Sequence, residues 1–329
     1  MSAVVRWGVV GLGGFAERCV VPAIAASAGS KLVACSGRSL GKTQASAATL
    51  GIARVYATYD ELVLDPGIDA VYVATPNALH DPVVAAAARA RKHVLCEKPM
   101  SLAVSSAQEM AAQCRAAGVL LKIGFHLRFE DIMRRVRELI AAGTIGEVRS
   151  LAIERIAATD QPGAWRHRPA EGGGVLYDVG VHLLDLAQWL TASRITEVFA
   201  RAHPEPREGK ANDTVVISAL LGQRCMGSVR ASREVPFGKN DVVVQGSRGM
   251  ISTSSLRWES EYVLSVRTAS GSTEESLAAT PAYQREIEAF EREVAGEPTQ
   301  IATADDGVGI VAVTQAILAS LDSGRSVRV

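Results

Sequence analysis

Residues 4–16 read VVRWGVVGLGGFA, an apolar run that leads directly into a glycine-rich turn. A short apolar run without polar alternation is typical of a strand buried on both faces of a sheet. The turn has a GxGxxA pattern, in which the first glycine permits a tight turn and the second lets the backbone approach a pyrophosphate. The phosphates then lie on the amides and positive dipole of a helix N-terminus. The stretch predicts a dinucleotide-binding strand, turn and helix, with cofactor contacts from Gly11, Leu12, Gly13, Gly14 and Phe15.

Strand-like and helical patterns alternate up to about residue 125. Apolar runs occur at 31–36, 70–74, 94–96 and 120–125, and helical patterns at 40–50, 80–90 and 105–117. These runs do not alternate with polar residues, as expected for a parallel sheet that is covered by helices on both faces. We therefore predict an N-terminal Rossmann domain, a doubly wound parallel sheet, over residues 1–125.

The pattern changes after residue 126. Stretches at 148–156, 215–221, 225–231, 241–245 and 262–267 follow one another with turns between them, which is typical of antiparallel strands. Helical patterns occur at 130–142, 281–294 and 305–321. The predicted fold class is α/β plus α+β, with a second domain over residues 126–329 built on a large, mostly antiparallel open sheet. We allow for the last helix to pack back on the first domain.

The composition narrows the class of protein. The 329 residues carry a formal net charge of zero, so no basic field attracts nucleic acid. Residues 1–14 lack the features of a signal peptide, and we find no apolar run with the length of a membrane span. The five cysteines form no CxxC pair, which favours reduced thiols and a cytoplasmic location. Without histidine and cysteine clusters at ligand spacing, we expect no metal site.

The end of the second strand, residues 35–39 (CSGRS), bears on the choice of dinucleotide. An acidic residue there would bind the ribose 2′-hydroxyl of NAD and repel the 2′-phosphate of NADP. No acid is present; Arg38 can pair with a phosphate, and Ser36, next to Gly37, can donate a hydrogen bond. The alternative is that Arg38 is an ordinary exposed loop residue. We predict NADP(H) as the preferred cofactor, with NAD(H) as the alternative.

Three further motifs resemble those of one family. Residues 74–80 read ATPNALH, residues 94–99 read VLCEKP, and residues 172–185 read GGGVLYDVGVHLLD. In content, order and separation they resemble the Gfo/Idh/MocA oxidoreductases, and the likeness spans nearly the whole chain. The resemblance implies an NAD(P)-dependent oxidoreductase that acts on CH–OH groups of sugar-like substrates. We expect a homodimer or homotetramer formed through the second-domain sheet.

The resemblance also implies roles for individual residues. Lys98 would lie beside the nicotinamide and the substrate oxygen, where a cation can polarise a carbonyl as hydride arrives. Glu97 would face the cofactor, and the bond before Pro99 would be cis. The first of the three motifs would supply more cofactor-binding residues, namely Thr75, Pro76, Asn77 and His80.

Asp178 and His182 stand four residues apart, so on a helical segment they share a face. A histidine can give a proton to a nascent alkoxide or remove one from an alcohol, and a carboxylate can orient the imidazole or bind a substrate hydroxyl. Without the resemblance, a packed histidine is the more common case. With it, both residues are predicted to be catalytic, whereas Asp185 is expected to be structural.

Several residues have two interpretations. His126 and Arg128 follow the last strand of the first domain, and either lie near the ligand or form a salt bridge at the domain interface. Trp165, Arg166 and Tyr283 are candidates for contact with the nicotinamide or the substrate. We include Arg128, Trp165, Arg166 and Tyr283 among the predicted cofactor-binding residues.

The predicted reaction is reversible hydride transfer between NADP(H) and a carbonyl or secondary alcohol of a sugar, polyol or anhydro-sugar. Two other classes stay open. One is a glycoside hydrolase that uses bound NAD for transient oxidation, and the other is a non-catalytic dinucleotide-binding regulator. Retention of Lys98, Asp178 and His182 argues against the regulator, and the 35–39 stretch argues against an NAD-dependent hydrolase.

Overall fold

The computed structural model describes residues 4–158, 167–204, 211–236, 238, 240–254 and 261–329. The chain divides into two compact units. The first contains Met1–His126 and Pro281–Val311, and the second contains Leu127–Thr280 and Ala312–Val329. The division at residue 126 lies next to the predicted boundary. Residues 281–311, which the sequence assigned to the second domain, lie instead in the first unit.

In chain order, the strands are β1 (Val5–Val10), β2 (Ser30–Ser36), β3 (Arg54–Tyr56), β4 (Ala70–Val73), β5 (His93–Glu97), β6 (Leu121–Gly124), β7 (Val148–Ile156), β8 (Ile195–His203), β9 (Thr214–Leu221), β10 (Cys225–Ser232), β11 (Asn240–Gly246), β12 (Gly249–Ser254), β13 (Glu261–Thr268), β14 (Gly271–Ala278), β15 (Ala302–Thr303) and β16 (Val327–Arg328). The helices are α1 (Val21–Ala26), α2 (Leu40–Leu50), α3 (Tyr59–Val63), α4 (His80–Arg89), α5 (Val104–Ala117), α6 (Asp131–Ala141), α7 (Val181–Thr191), α8 (Ala282–Val294) and α9 (Ala304–Ser323).

The first unit is built on a sheet in the order β15-β6-β5-β4-β1-β2-β3. Strands β1 to β6 are parallel, and β15 is antiparallel to β6 at the edge. All four residues of β4 are buried, as expected for a central strand covered on both faces. The predicted doubly wound parallel sheet is confirmed.

Residues 281–311 belong to the first unit because they complete its core. The ring of Phe290 on α8 lies 4.8 Å, centroid to centroid, from the fully buried ring of Trp7 on β1. Trp7 Nε1 donates to Ser30 Oγ at 2.8 Å, and Ser30 in turn donates to Glu291 on α8. These contacts join residues that are far apart in the sequence, so local sequence patterns do not reveal them.

The second unit contains a sheet in the order β14-β13-β12-β11-β7-β10-β9-β8-β16. Neighbouring strands are antiparallel except for the parallel pair β7 and β10. Side chains of β9 alternate between buried and more exposed positions, so one face of the sheet is covered. Helix α7 is buried along its length from Val181 to Leu190. The predicted large, mostly antiparallel sheet is confirmed.

Helix α9 is long and apolar enough to cross a membrane by length and composition alone. The sequence analysis expected no apolar run of that length, because it did not take residues 304–323 as one stretch. Half of its most apolar window is buried within the protein, and Ile310, Val313 and Ile317 are each at most 1% exposed. A buried core helix passes the same test, so the segment is weak evidence for a membrane span.

Candidate active site

The glycine turn after β1 is held at the carboxyl edge of the parallel sheet. Gly11 has a φ of +94°, and a Cβ there would lie 2.7 Å from the backbone of Ala74. The N–H groups of Gly11 and Leu12 both donate to the carbonyl oxygen of Ser36 at 2.9 Å. A Cβ on Gly13 would meet only the Gly11 oxygen, at 3.9 Å. The turn is therefore tight on its protein side and open at Gly13, which fits the close approach of a pyrophosphate.

The helix after this turn begins with a wide π-helical turn over Ala16–Val20, where the sequence predicted an ordinary helix from Phe15. The N–H of Val21 donates to the carbonyl of Ala16, five residues back, before α1 continues. The guanidinium of Arg18 lies over the glycine turn, with Nη1 2.9 Å from the position of a Cβ on Gly14. Sequence analysis did not single out Arg18, because only the folded turn brings it over Gly14.

The residues after β2 lie beside the glycine turn. Gly37 is enclosed, since a Cβ there would lie 2.5 Å from Thr43 Oγ1 and 3.1 Å from the carbonyl oxygen of Leu12. Ser36 is 2% exposed, whereas Arg38 is on the surface. Of the two predicted phosphate ligands, Arg38 has the exposure that a phosphate contact requires, and Ser36 holds the glycine turn through its backbone.

The turn after β4 contains Thr75, Pro76 and Asn77. The backbone N of Thr75 lies 2.8 Å from the position of a Cβ on Gly11, so this turn touches the glycine turn. The Thr75 hydroxyl is buried and has no hydrogen-bond partner in the described part of the chain. A buried polar atom at the edge of the glycine turn fits a site for a polar ligand. Asn77 is 3% exposed and begins a short 3₁₀ turn over Asn77–Leu79.

The turn after β5 carries Glu97 and Lys98, and the Lys98–Pro99 bond is cis as the resemblance implied. Glu97 Oε1 accepts a hydrogen bond from the Tyr72 hydroxyl at 2.6 Å, and Oε2 accepts one from the Lys98 backbone N–H at 3.3 Å. Burial, and secondly the charge of Glu97, raises the pKa of Tyr72 well above its usual value, so this hydroxyl stays a donor. Lys98 is half-buried.

His80 was predicted to bind the cofactor, but the structure encloses its ring. The residue is 0% exposed. Its Nδ1 lies 2.8 Å from the carbonyl oxygen of Pro99, and its Nε2 lies 3.1 Å from the carbonyl oxygen of Thr75. Both ring nitrogens thus face backbone atoms of the protein. The motif placed His80 beside the correct turns, but spacing alone does not show which way the ring points.

Phe15, His126 and Tyr283 form an aromatic cluster in the first unit. The rings of His126 and Tyr283 are stacked, with centroids 4.4 Å apart, and Phe15 meets Tyr283 edge-on at 5.8 Å. Tyr283 lies at the start of α8, so the return of residues 281–311 to the first unit brings it next to the glycine turn residue Phe15. The structure therefore joins two of the predicted cofactor-binding residues, Phe15 and Tyr283.

In the second unit, Asp178 and His182 lie on one continuous helical stretch. A π-helical turn covers Leu176–Gly180, where the N–H of Val181 donates to the carbonyl of Leu176, and α7 follows directly. Asp178 is half-buried and His182 is 9% exposed. A spacing of four residues across a wide turn and the start of an α-helix keeps both side chains on one side of the stretch.

Asn212 holds the beginning of this helical stretch. Its side-chain Oδ1 accepts from the N–H of Leu176 at 3.0 Å, and its carbonyl oxygen accepts from the N–H of Val175 at 2.8 Å. Gly174 has a φ of +115°, and a Cβ there would lie 2.8 Å from Asn212 Oδ1. Sequence analysis missed Asn212, because no local signal links it to a segment more than thirty residues earlier.

Arg128 forms a buried ion pair with Asp185. Arg128 Nε donates to Oδ2 at 2.8 Å and Nη2 to Oδ1 at 2.5 Å, and the two side chains are 7% and 2% exposed. Of its two interpretations, the salt bridge is the one observed, although it lies within the second unit rather than between domains. Asp185 has the structural role expected of it. The predicted contacts of Trp165 and Arg166 lie outside the described residues.

Among the described residues, no group of three or more histidine, cysteine or acidic side chains is placed to hold a metal ion. The structure places the half-buried Lys98 in one unit, at the same sheet edge as the glycine turn. It places Asp178 and His182 on one helical stretch in the other unit.

Comparisons with known proteins show which family the chain is similar to. Residues 5–125 match the family model described as an oxidoreductase family with an NAD-binding Rossmann fold, and residues 133–252 match the GFO/IDH/MocA C-terminal domain. The 1,5-anhydro-D-fructose reductase of Ensifer adhaerens is 32% identical over 98% of each chain. The myo-inositol 2-dehydrogenase of Thermotoga maritima is 30% identical over 85% of each chain. The crystal structure of aldose-aldose oxidoreductase from Caulobacter crescentus, complexed with glycerol, is 28% identical, with a TM-score of 0.89 over 99% of each chain.

Proposed function

Because the chain belongs to the GFO/IDH/MocA family of NAD(P)-dependent oxidoreductases, we propose that it transfers hydride between NADP(H) and a sugar-like substrate. The reacting group is a carbonyl or secondary alcohol of a sugar, polyol or anhydro-sugar. The observation that carries the proposal is the position of Lys98, which follows β5 at the same sheet edge as the glycine turn after β1. A cation at the same sheet edge as a dinucleotide-binding turn suits a reaction in which negative charge develops on oxygen.

A nicotinamide cofactor, when bound, would supply or accept the hydride. Its pyrophosphate is assigned to the turn over Gly11–Phe15, and the Thr75 hydroxyl is a donor for a polar group at the edge of that turn. Lys98 orients the substrate oxygen and stabilises the charge that develops there. In the direction of reduction, His182 donates a proton to the new alkoxide; in oxidation it takes the proton back. Asp178 orients the imidazole or binds a neighbouring substrate hydroxyl.

The preference for NADP(H) rests on the end of β2. The sequence has no acidic residue there to bind a ribose 2′-hydroxyl, and Arg38 is exposed next to the enclosed Gly37. The guanidinium of Arg38 can pair with the 2′-phosphate in a bidentate manner. Arg18, over the glycine turn, adds a second positive charge at the dinucleotide site.

The first experiment follows NADPH consumption, with NADH as the control, over ketoses, aldoses, anhydro-sugars and inososes. Turnover that prefers NADPH supports the proposal, and Arg38→Gln should then remove most of that preference. His182→Ala should lower kcat by about 10²-fold or more while NADPH affinity stays near its original value. Unchanged turnover in His182→Ala would remove this residue from the mechanism. If no compound of the panel is turned over and cofactor is retained through purification, the result would favour the hydrolase or the regulator.

We also propose that the protein assembles as a homodimer, or else a homotetramer, through the open face of the second-unit sheet. Strands β8, β9 and β10 are neighbours and carry Phe199, Val216 and Met226 on this face, with exposures of 36%, 46% and 56%. Val263, 37% exposed, lies farther along the sheet on β13. Exposed apolar side chains on one sheet face are often covered by a partner subunit. Sedimentation equilibrium measures the mass directly; a monomer at all concentrations would refute the proposal.

A cytoplasmic location is part of the same proposal. It is supported by the cysteines, none of which forms a disulfide bond in the described part of the chain and four of which are buried. Free thiols persist where the cellular environment is reducing. Fractionation of cells that express the full chain tests the location.

A further inference from the structure

The residue whose environment is least explained by cofactor binding is His80. It is the first residue of α4 and is completely buried, so its ring is not available to a ligand at the sheet edge. Its nitrogens instead face two backbone carbonyl oxygens, those of Pro99 and Thr75. These carbonyls belong to the two turns that follow the neighbouring parallel strands β4 and β5. One side chain thus contacts both turns.

The two contacts are not equivalent. A neutral imidazole donates a hydrogen bond from only one of its nitrogens. Burial lowers the pKa of His80, which favours the neutral ring. The shorter contact, 2.8 Å from Nδ1 to the Pro99 oxygen, is therefore assigned as the donated hydrogen bond. The ring then holds the residue that immediately follows Lys98.

Asp81, the next residue on α4, holds the same turn at Ser101, two residues after Pro99. Asp81 Oδ2 accepts a hydrogen bond from the Ser101 hydroxyl at 3.2 Å. Ser101 Oγ also accepts from the N–H of Ala103 at 3.4 Å. Successive side chains at the start of α4 thus fasten the turn at Pro99 and at Ser101.

We propose that His80 is a positioning residue that holds the Lys98–Pro99 turn, and not a residue that contacts the cofactor. The inference rests on the proposed role of Lys98 in hydride transfer. Loss of the hydrogen bond frees the Pro99 carbonyl and lets the Lys98 ammonium depart from the substrate oxygen. Small displacements of a group that acts in the transition state lower kcat much more than they change ground-state binding.

Two substitutions of His80 test the hydrogen bonds of its two ring nitrogens separately. The amide nitrogen of Asn in His80→Asn occupies about the place of Nδ1, and that of Gln in His80→Gln occupies about the place of Nε2. His80→Asn keeps the donor to Pro99, so its kcat should stay within about threefold of the original. His80→Gln should lose about tenfold in kcat, the effect of one lost hydrogen bond of ordinary strength. Leu79→Ala, at an exposed neighbouring position, is the matched control and should behave as the original protein.

Two readouts accompany kcat. NADPH affinity, measured by fluorescence titration, should change by less than about twofold in both His80 variants, because the ring makes no cofactor contact. Hydrogen exchange of the peptide that spans residues 97–103, measured on the protein without ligands, should be faster in His80→Gln than in His80→Asn. Circular dichroism establishes that both variants are folded.

The inference is overturned if both variants lose activity equally, or if NADPH affinity falls as far as kcat. It is also overturned if exchange at residues 97–103 is the same in both variants. If the original protein turns over no substrate, the proposed function fails. The exchange comparison then decides the positioning role alone, because it needs neither substrate nor turnover.

Discussion

The turn that carries Lys98 and the helical stretch that carries Asp178 and His182 are held in place in different ways. Lys98 follows a buried strand, and two side chains at the start of α4 hold the turn. The stretch with Asp178 begins in a wide turn that Asn212 holds from a distant part of the chain, and the ion pair of Arg128 with Asp185 holds α7. The first arrangement depends on neighbouring motifs, whereas the second depends on long-range contacts and a buried charge pair.

The largest expected effect concerns Lys98 itself. Lys98→Met should lower kcat by roughly 10²- to 10³-fold, because the developing charge on the substrate oxygen loses its cation. The folded structure and NADPH affinity should change little, since a half-buried side chain is replaced by one of similar length. Steady-state kinetics with thermal unfolding as a parallel measurement checks this. A large loss of thermal stability would mean that the Lys98 side chain is itself needed to hold the turn in its folded conformation.

The ion pair in the second unit should matter mainly for stability. Asp185→Leu leaves the Arg128 charge buried without its carboxylate and should cost about 3–5 kcal/mol of unfolding free energy. The double variant Arg128→Met/Asp185→Leu should recover much of that loss, because both charges of the pair are removed. Denaturant unfolding of both variants measures the difference. A double variant as unstable as the single one would show that packing, and not charge, holds α7.

Asn212→Ala should affect both stability and rate. It leaves the N–H of Leu176 without its acceptor, at a cost of about 1–3 kcal/mol. The start of the helical stretch should then loosen and lower kcat, with little change in NADPH affinity. Asn212→Asp keeps an acceptor oxygen and is the matched control. Equal kcat in the two variants would remove Asn212 from the positioning of Asp178 and His182.

The smallest expected effect is a pH dependence of the unfolding free energy that arises in the first unit. Burial lowers the pKa of His80 and also that of His93 in the folded protein, so the unfolded chain binds these protons more readily. The unfolding free energy should therefore be fully retained above about pH 6.5, the ordinary histidine value, and fall as the pH decreases below it. His80→Asn should show a shallower decrease. Urea unfolding between pH 5 and pH 8 measures both slopes; equal slopes would show that His80 does not titrate on unfolding.

The sequence predicted the parts of the fold that local pattern controls. The apolar runs of β1, β4 and β5, the helix over residues 40–50 and the strand over residues 148–156 appear as expected. Short or polar edge strands were not predicted. Strand β14 reads GSTEESLA and β15 has only two residues, so neither shows the periodicity that marks a strand. Such strands form because a neighbour offers hydrogen bonds.

The candidate site divides in the same way. The glycine turn and the shared helical stretch of Asp178 and His182 follow from motifs and spacing, and the cis bond before Pro99 follows from the family resemblance. The enclosed ring of His80 and the hydrogen bonds of Asn212 do not. They depend on side-chain direction and on contacts between distant segments, and one sequence carries no signal for either.

Because the first unit is discontinuous in sequence, its last segments are synthesised well after its first. Residues 1–126 leave the ribosome first, yet Phe290, which covers Trp7, and strand β15, which extends the sheet beyond β6, are made near the end. At translation rates of about 5–20 residues per second, the roughly 150 intervening residues delay these segments by on the order of ten seconds. During that interval the nascent Rossmann sheet lacks the ring of Phe290 on Trp7 and the strand that pairs with β6. We expect this exposed apolar surface and open edge to favour aggregation until residues 281–311 are made.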